Sequence, residues 1–108
     1  MLTPQEMYTE YRRAHSFLDA GHPIDAAQIV TPVVAQAPEN TGALELQARA
    51  FFHSAQLHRA EVALTELVRR NPADDWARIA LARTLERLSR PDEAAVHRAV
   101  AACVAPGA

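Results

Sequence analysis

Three prolines, Pro38, Pro72 and Pro106, lie 34 residues apart, and each follows an apolar run at a place where a helix has to stop. A fixed period of that length constrains architecture before any local propensity does, because each unit must bury one face against the next. In the phase set by the prolines run two unbroken alanine columns, Ala14, Ala48 and Ala82, then Ala26, Ala60 and Ala94. The chain has 23 alanines among 108 residues, so six such matches would arise by chance roughly once in ten thousand trials. Phe17, Phe51 and Leu85 form a third column, and Val33, Leu67 and Ala101 a fourth. The physical reason is helix packing: small residues let two axes approach closely, and a bulky residue a turn later fills the adjacent groove.

Two antiparallel helices per repeat follow from the local signals. Thr3-Pro4-Gln5-Glu6 reads as a capping box that opens the first helix, which should close near Ala20 with Gly21 in the left-handed conformation. His22-Pro23-Ile24-Asp25 starts the second, expected to run to about Gln36. Asn40-Thr41 caps the third and Asp74-Asp75 the fifth, while the fourth begins near Leu57 and the sixth near Pro91. Pro32 falls inside the second helix, where it removes a backbone bond and predicts a kink.

Composition excludes more than it identifies. The hydrophobic fraction of 49%, the charged fraction of 22% and a formal charge of -2 suit an ordinary single domain of 1–108. All 11 basic residues are arginine, and this charge balance argues against sequence-independent nucleic-acid binding. Glycine-rich phosphate loops, a G-x-S-x-G, an H-E-x-x-H and a C-x-x-C are absent, so neither an enzyme, a metal site nor a cofactor is expected. Ser16, Ser54 and Ser89 have no base placed beside them by the sequence. Cys103 reads as structural rather than reactive. The start of the chain lacks the basic and apolar regions of a signal peptide, and no apolar run reaches membrane-spanning length, so a cytoplasmic protein without membrane partners is expected.

These columns resemble the tetratricopeptide repeat family, whose 34-residue unit carries a W-x2-L-G-x2-Y, A-x3-F, P pattern. The resemblance covers three units, 7–40, 41–74 and 75–108, and implies an all-α, right-handed α-solenoid of six antiparallel helices. Departures are visible: the tryptophan position holds Glu10, Leu44 and Arg78, and the phenylalanine position holds Val30, Leu64 and Arg98, preceded by Ile29, Ala63 and His97. Arg98 and His97 read as a polar cap on the last repeat, although the run 99–105 beside them is apolar.

In that family the first helix of each unit lines a concave groove that accepts a peptide or a helix. The resemblance therefore implies a non-catalytic protein-binding module, a scaffold or adaptor, whose partner-binding residues are Tyr8, Tyr11, His15, Arg49, Phe52, Trp76, Ile79 and Arg83, with Gly42, Glu45, Leu18 and Glu86 in the same outward columns. The family's carboxylate clamp of lysine, asparagine and arginine is not reproduced, because Tyr11, His15, Leu46, Trp76 and Ala80 stand at its positions. His15, Arg49 and Arg83 recur at the repeat period and point to an acidic or carboxylate-bearing segment, with Glu45 and Glu86 as competing internal partners. The alternative is a structural protein that self-associates through its apolar C-terminal helix, so that both a monomer and a weak homodimer fit. An RNA-reading helical repeat is a third class, which the charge disfavours.

Overall fold

The computed structural model describes residues 1–104, and among them every regular element is a helix. The six are α1 (Pro4–Asp19), α2 (Pro23–Gln36), α3 (Thr41–His53), α4 (Leu57–Arg70), α5 (Asp75–Arg87) and α6 (Pro91–Val104). Their boundaries keep the repeat: α2, α4 and α6 begin 34 residues apart, and so do α3 and α5. Only the start of α1 departs from it. Thr3 and Glu6 close a full capping box there, which starts the helix three residues ahead of the register that Asn40 and Asp74 set for α3 and α5. Pro106 and the end of the apolar run 99–105 lie outside the described residues.

The ends of the first helices repeat as well. His22 donates to the Phe17 carbonyl and Gly21 to Leu18, the paired bonds of a Schellman motif, with Gly21 at a φ of 84°. The same pair of bonds recurs from Gln56 and Ala55 to Phe51 and Phe52, and from Arg90 and Ser89 to Leu85 and Glu86. Ala55 and Ser89 therefore occupy the left-handed region, at φ of 57° and 62°, in a position the first repeat gives to glycine.

All six alanines of the two columns are fully buried. A further pair at the repeat period, Ala43 and Ala77, is equally buried and was not singled out by the sequence reading. Contacts divide the chain into two compact units, Met1–Gln56 and Leu57–Ala108.

In the first unit α2 packs against both α1 and α3, and α1 also reaches α3. Ala14, Val30, Val33, Ala43 and Leu46 form the core, with Tyr11 and Leu18 partly buried against it. Leu18 and Tyr11 thus each give part of their surface to the core. The start of the chain is tied down by a side chain: the Leu2 amide donates to Gln36 Oε1 at 2.8 Å, and Gln36 Nε2 donates to the Leu2 carbonyl. Helix α2 runs through Pro32 without a break; Pro32 and Gln28, whose carbonyl loses its usual partner, are both exposed to solvent. The buried Gln47 amide is satisfied by Thr31 Oγ1 at 3.3 Å, and that hydroxyl in turn donates to the Ala27 carbonyl.

In the second unit α5 packs against both α4 and α6. Helix α4 buries Ala60, Ala63, Leu64, Leu67 and Val68, and α5 buries Ala77, Ala80, Leu81, Ala82, Thr84 and Leu85. Among the described side chains of α6, Ala94 and Ala101 are buried. Full burial of a Leu-sized side chain is worth about 1.5–3 kcal/mol, so α6 contributes far less to its core than α4 does. Cys103, read from the sequence as structural, is exposed.

Candidate functional site

Residues at i, i+3, i+4 and i+7 share one face of a helix, so Tyr8, Tyr11 and His15 form a stripe on α1, and Gly42, Glu45, Arg49 and Phe52 one on α3. Tyr8 is 61% exposed, and the Arg12 guanidinium lies 6.0 Å from the centre of its ring. The Tyr11 ring is half-buried and stands 6.3 Å from the His15 imidazole. Met7, Tyr8, Tyr11, Val33, Asn40 and Gly42 line a cleft of about 310 Å³ in this unit. Gly42 opens it: a Cβ there would stand 3.4 Å from Asn40 Oδ1 and 3.9 Å from the Tyr11 hydroxyl. The outward columns named Tyr8, Tyr11 and Gly42, while no sequence signal marked Met7, Val33 and Asn40 as their neighbours, because the walls come from α1, from the end of α2 and from the cap of α3.

In the first unit the charged members of the expected site are engaged. His15 Nδ1 lies 3.0 Å from Asp19, and Arg49 Nη2 lies 3.0 Å from Glu45, the internal competitor foreseen for it. The His15–Asp19 pair is exposed, and a pair of that kind is worth about 0–1 kcal/mol, whereas Glu45 and Arg49 are half-buried. Phe52 is half-buried, its ring edge-on to His53.

On α5, in the second unit, Trp76 and Ile79 are half-buried and Arg83 is exposed. The carboxylate nearest in sequence, Glu86, is held by Arg98 through bonds of 3.0 and 2.7 Å. Those bonds keep the Glu86 carboxyl below its usual range. The acid expected to occupy Arg83 is thus paired with Arg98 of α6.

A second cavity, of about 290 Å³, lies within this unit and is lined by Glu61, Thr65, Arg90, Glu93 and His97 above an apolar floor. Arg90 fills its mouth, bonding Glu61 at 2.8 Å and Glu93 on its other side. His97 Nδ1 accepts from Arg78 Nη1 at 2.9 Å, and Arg78 Nε donates to the Pro72 carbonyl. Because the guanidinium has no lone pair to give, the imidazole must be neutral with its proton on Nε2. Burial and the Arg78 charge push the His97 pKa down, against a smaller upward pull from Glu93. Arg78 and His97 were two separate departures from the repeat pattern; together they form one contact between α5 and α6.

The serine hydroxyls on the first helices are also committed: Ser16 donates to the Arg12 carbonyl and Ser54 to Ala50. No helix among the described residues is long and apolar enough to cross a membrane.

Helices that recur every 34 residues, with the column alanines buried, define an all-helical fold of repeated helices among the described residues. No family profile matches the chain, and no curated protein does. Solved structures do. The MamA MSR-1 C2 structure matches with a TM-score of 0.86 at 19% identity, over 93% of this chain and 57% of that one. MamA 41-end from Desulfovibrio magneticus RS-1 matches with a TM-score of 0.81 at 23% identity, and the MamA RS-1 ArsTM double mutant with 0.83 at 23%, each over 94% of this chain and 57% of the other. At these identities the likeness shows the fold. The present chain spans little more than half the length of those it matches.

Proposed function

We propose that the chain is a non-catalytic module that binds a segment of a partner protein on the outward faces of its first helices. In the first unit the face is that of α1 and α3, bearing Tyr8, Tyr11, His15, Arg49 and Phe52; in the second it is the α5 face of Trp76, Ile79 and Arg83. The observation that carries the reading is the cleft beside Tyr8, a large aromatic side chain left 61% exposed at the edge of an unfilled concavity. Aromatic and arginine side chains are the types most often found at binding hot spots. Arg83 is exposed and its planar fork suits a carboxylate on the partner. A cytoplasmic location accords with this role.

Capture of the partner, followed by the double change Arg49→Glu and Arg83→Glu, tests the reading. Affinity should fall at least tenfold, about 1.4 kcal/mol, with helical content unchanged. An unaltered affinity and salt dependence would move the binding site off these faces. A second reading, self-association through α6, is favoured by the exposure of Val96, Ala99 and Ala102 on that helix. A concentration-independent monomer in light scattering removes it.

A further inference from the structure

The cleft of the first unit has a chemical character more specific than a generic groove. We infer that it takes a proline-bearing, extended segment of a partner protein, with a pyrrolidine ring set against Tyr8 and Tyr11. This rests on the reading of the α1 and α3 face as partner-binding.

The lining is uncharged throughout. A charged side chain entering it would lose water without gaining a counter-ion, so the anchoring group has to be apolar. A volume of about 310 Å³ holds one or two residues of an extended chain, and is too small for a helix about 10 Å across. Rings of tyrosine and the Met7 and Val33 side chains supply an apolar wall of the kind on which proline packs.

Polarity at the edge decides between proline and other extended segments. Asn40 Oδ1 already accepts from the Ala43 amide at 3.1 Å, which leaves its Nδ2 group as a donor. The Tyr11 hydroxyl, 3.9 Å from the position a Cβ on Gly42 would take, has no hydrogen-bond partner among the described residues. The edge therefore offers two side-chain donors, Asn40 Nδ2 and the Tyr11 hydroxyl. Its complement is a chain rich in free carbonyl oxygens and poor in N–H groups. A proline-bearing segment meets both conditions, since proline has no amide hydrogen and its extended helix leaves every carbonyl unbonded. An α-helical segment fails, because its carbonyls are already taken internally.

Gly42 becomes the residue that determines specificity. One period later the position is Trp76, so the repeat carries no side chain here in one unit and an indole in the next.

The test is a titration of the full ¹⁵N-labelled chain with a proline decamer, with an acidic extended decamer free of proline and with an alanine-rich helical peptide. Saturable amide shifts at Tyr8, Tyr11 and Gly42 are expected with the proline decamer. Gly42→Leu should keep the helical circular dichroism and weaken that binding at least tenfold, and Tyr8→Ala, at an exposed site, should weaken it without any effect on folding. Shifts at these residues from the acidic or the helical peptide alone would overturn the choice of occupant while leaving the face in place. Absence of shifts there with all three would overturn the proposal outright, and the captured partner's response to Arg49→Glu and Arg83→Glu then decides the broader reading independently.

Discussion

Helices α2 and α6 hold the same position in the repeat two periods apart, Pro23–Gln36 and Pro91–Val104, and yet α2 buries Ala26, Ala27, Val30 and Val33, whereas α6 buries Ala94 and Ala101 among its described side chains. Both keep the column alanine, Ala26 and Ala94, and the packing residue a further two turns on, Val33 and Ala101; all four are buried. The difference lies between them. At the positions where α2 buries Ala27 and Val30, α6 carries Ala95 and Arg98, both exposed, and Arg98 turns back to Glu86 on its own neighbour. Two columns are enough to seat the second helix on the first. A separate set of side chains decides whether its other face can be covered.

The harshest way to break this comparison is to exchange the two residues. Val30→Arg places a guanidinium at a fully buried position with no acid beside it, and should cost about 3–5 kcal/mol, enough to unfold a chain of this size in a thermal or urea melt. The mirror change Arg98→Val removes only an exposed pair. It should shift stability by less than about 1 kcal/mol and raise the apparent mass in light scattering at high concentration. Equal costs for the two would mean that α2 and α6 are equivalent after all.

Smaller effects are expected where the repeats differ in backbone chemistry. Ser89→Gly and Ala55→Gly put glycine at left-handed positions and should each stabilise the chain by about 1 kcal/mol, while Gly21→Ala should destabilise it by a similar amount. Chemical denaturation reads all three. A loss of stability in both glycine variants would show that the strain is relieved by contacts the first repeat does not have.

The smallest effect is a pH dependence confined to the second unit. The folded pKa of His97 lies below its ordinary value of 6.5, so the unfolded chain takes up the proton first. The contribution is complete above about pH 6.5, declines as the pH falls below it, and levels off below the lowered folded value. Site-resolved NMR should find His97 titrating below 6.5, and His97→Ile, which restores the residue type of Ile29 in α2, should flatten that part of the stability profile. Titration of His97 at or above 6.5 would show that the Arg78 contact does not hold the imidazole neutral.

The sequence by itself determined the helices and their period. Caps, proline stops and glycine closures act within four or five residues, so Thr3, Gly21, Asn40, Leu57, Asp74 and Pro91 mark their boundaries without reference to the rest of the chain. The six column alanines were equally legible, because small residues at helix crossings are a requirement of geometry that the period exposes, whereas Ala43 and Ala77 keep the same period and were not marked. Which charge meets which was decided only in three dimensions: Glu86 went to Arg98 rather than Arg83, and Arg78 found His97 across 19 residues. Arginine and glutamate side chains are long and nearly isoenergetic in their choices on a surface, so sequence spacing constrains them weakly. The cleft was hidden for a different reason. Its walls come from three segments, and its opening depends on a side chain that Gly42 lacks, a property that appears only once Tyr11 and Asn40 have been brought beside it.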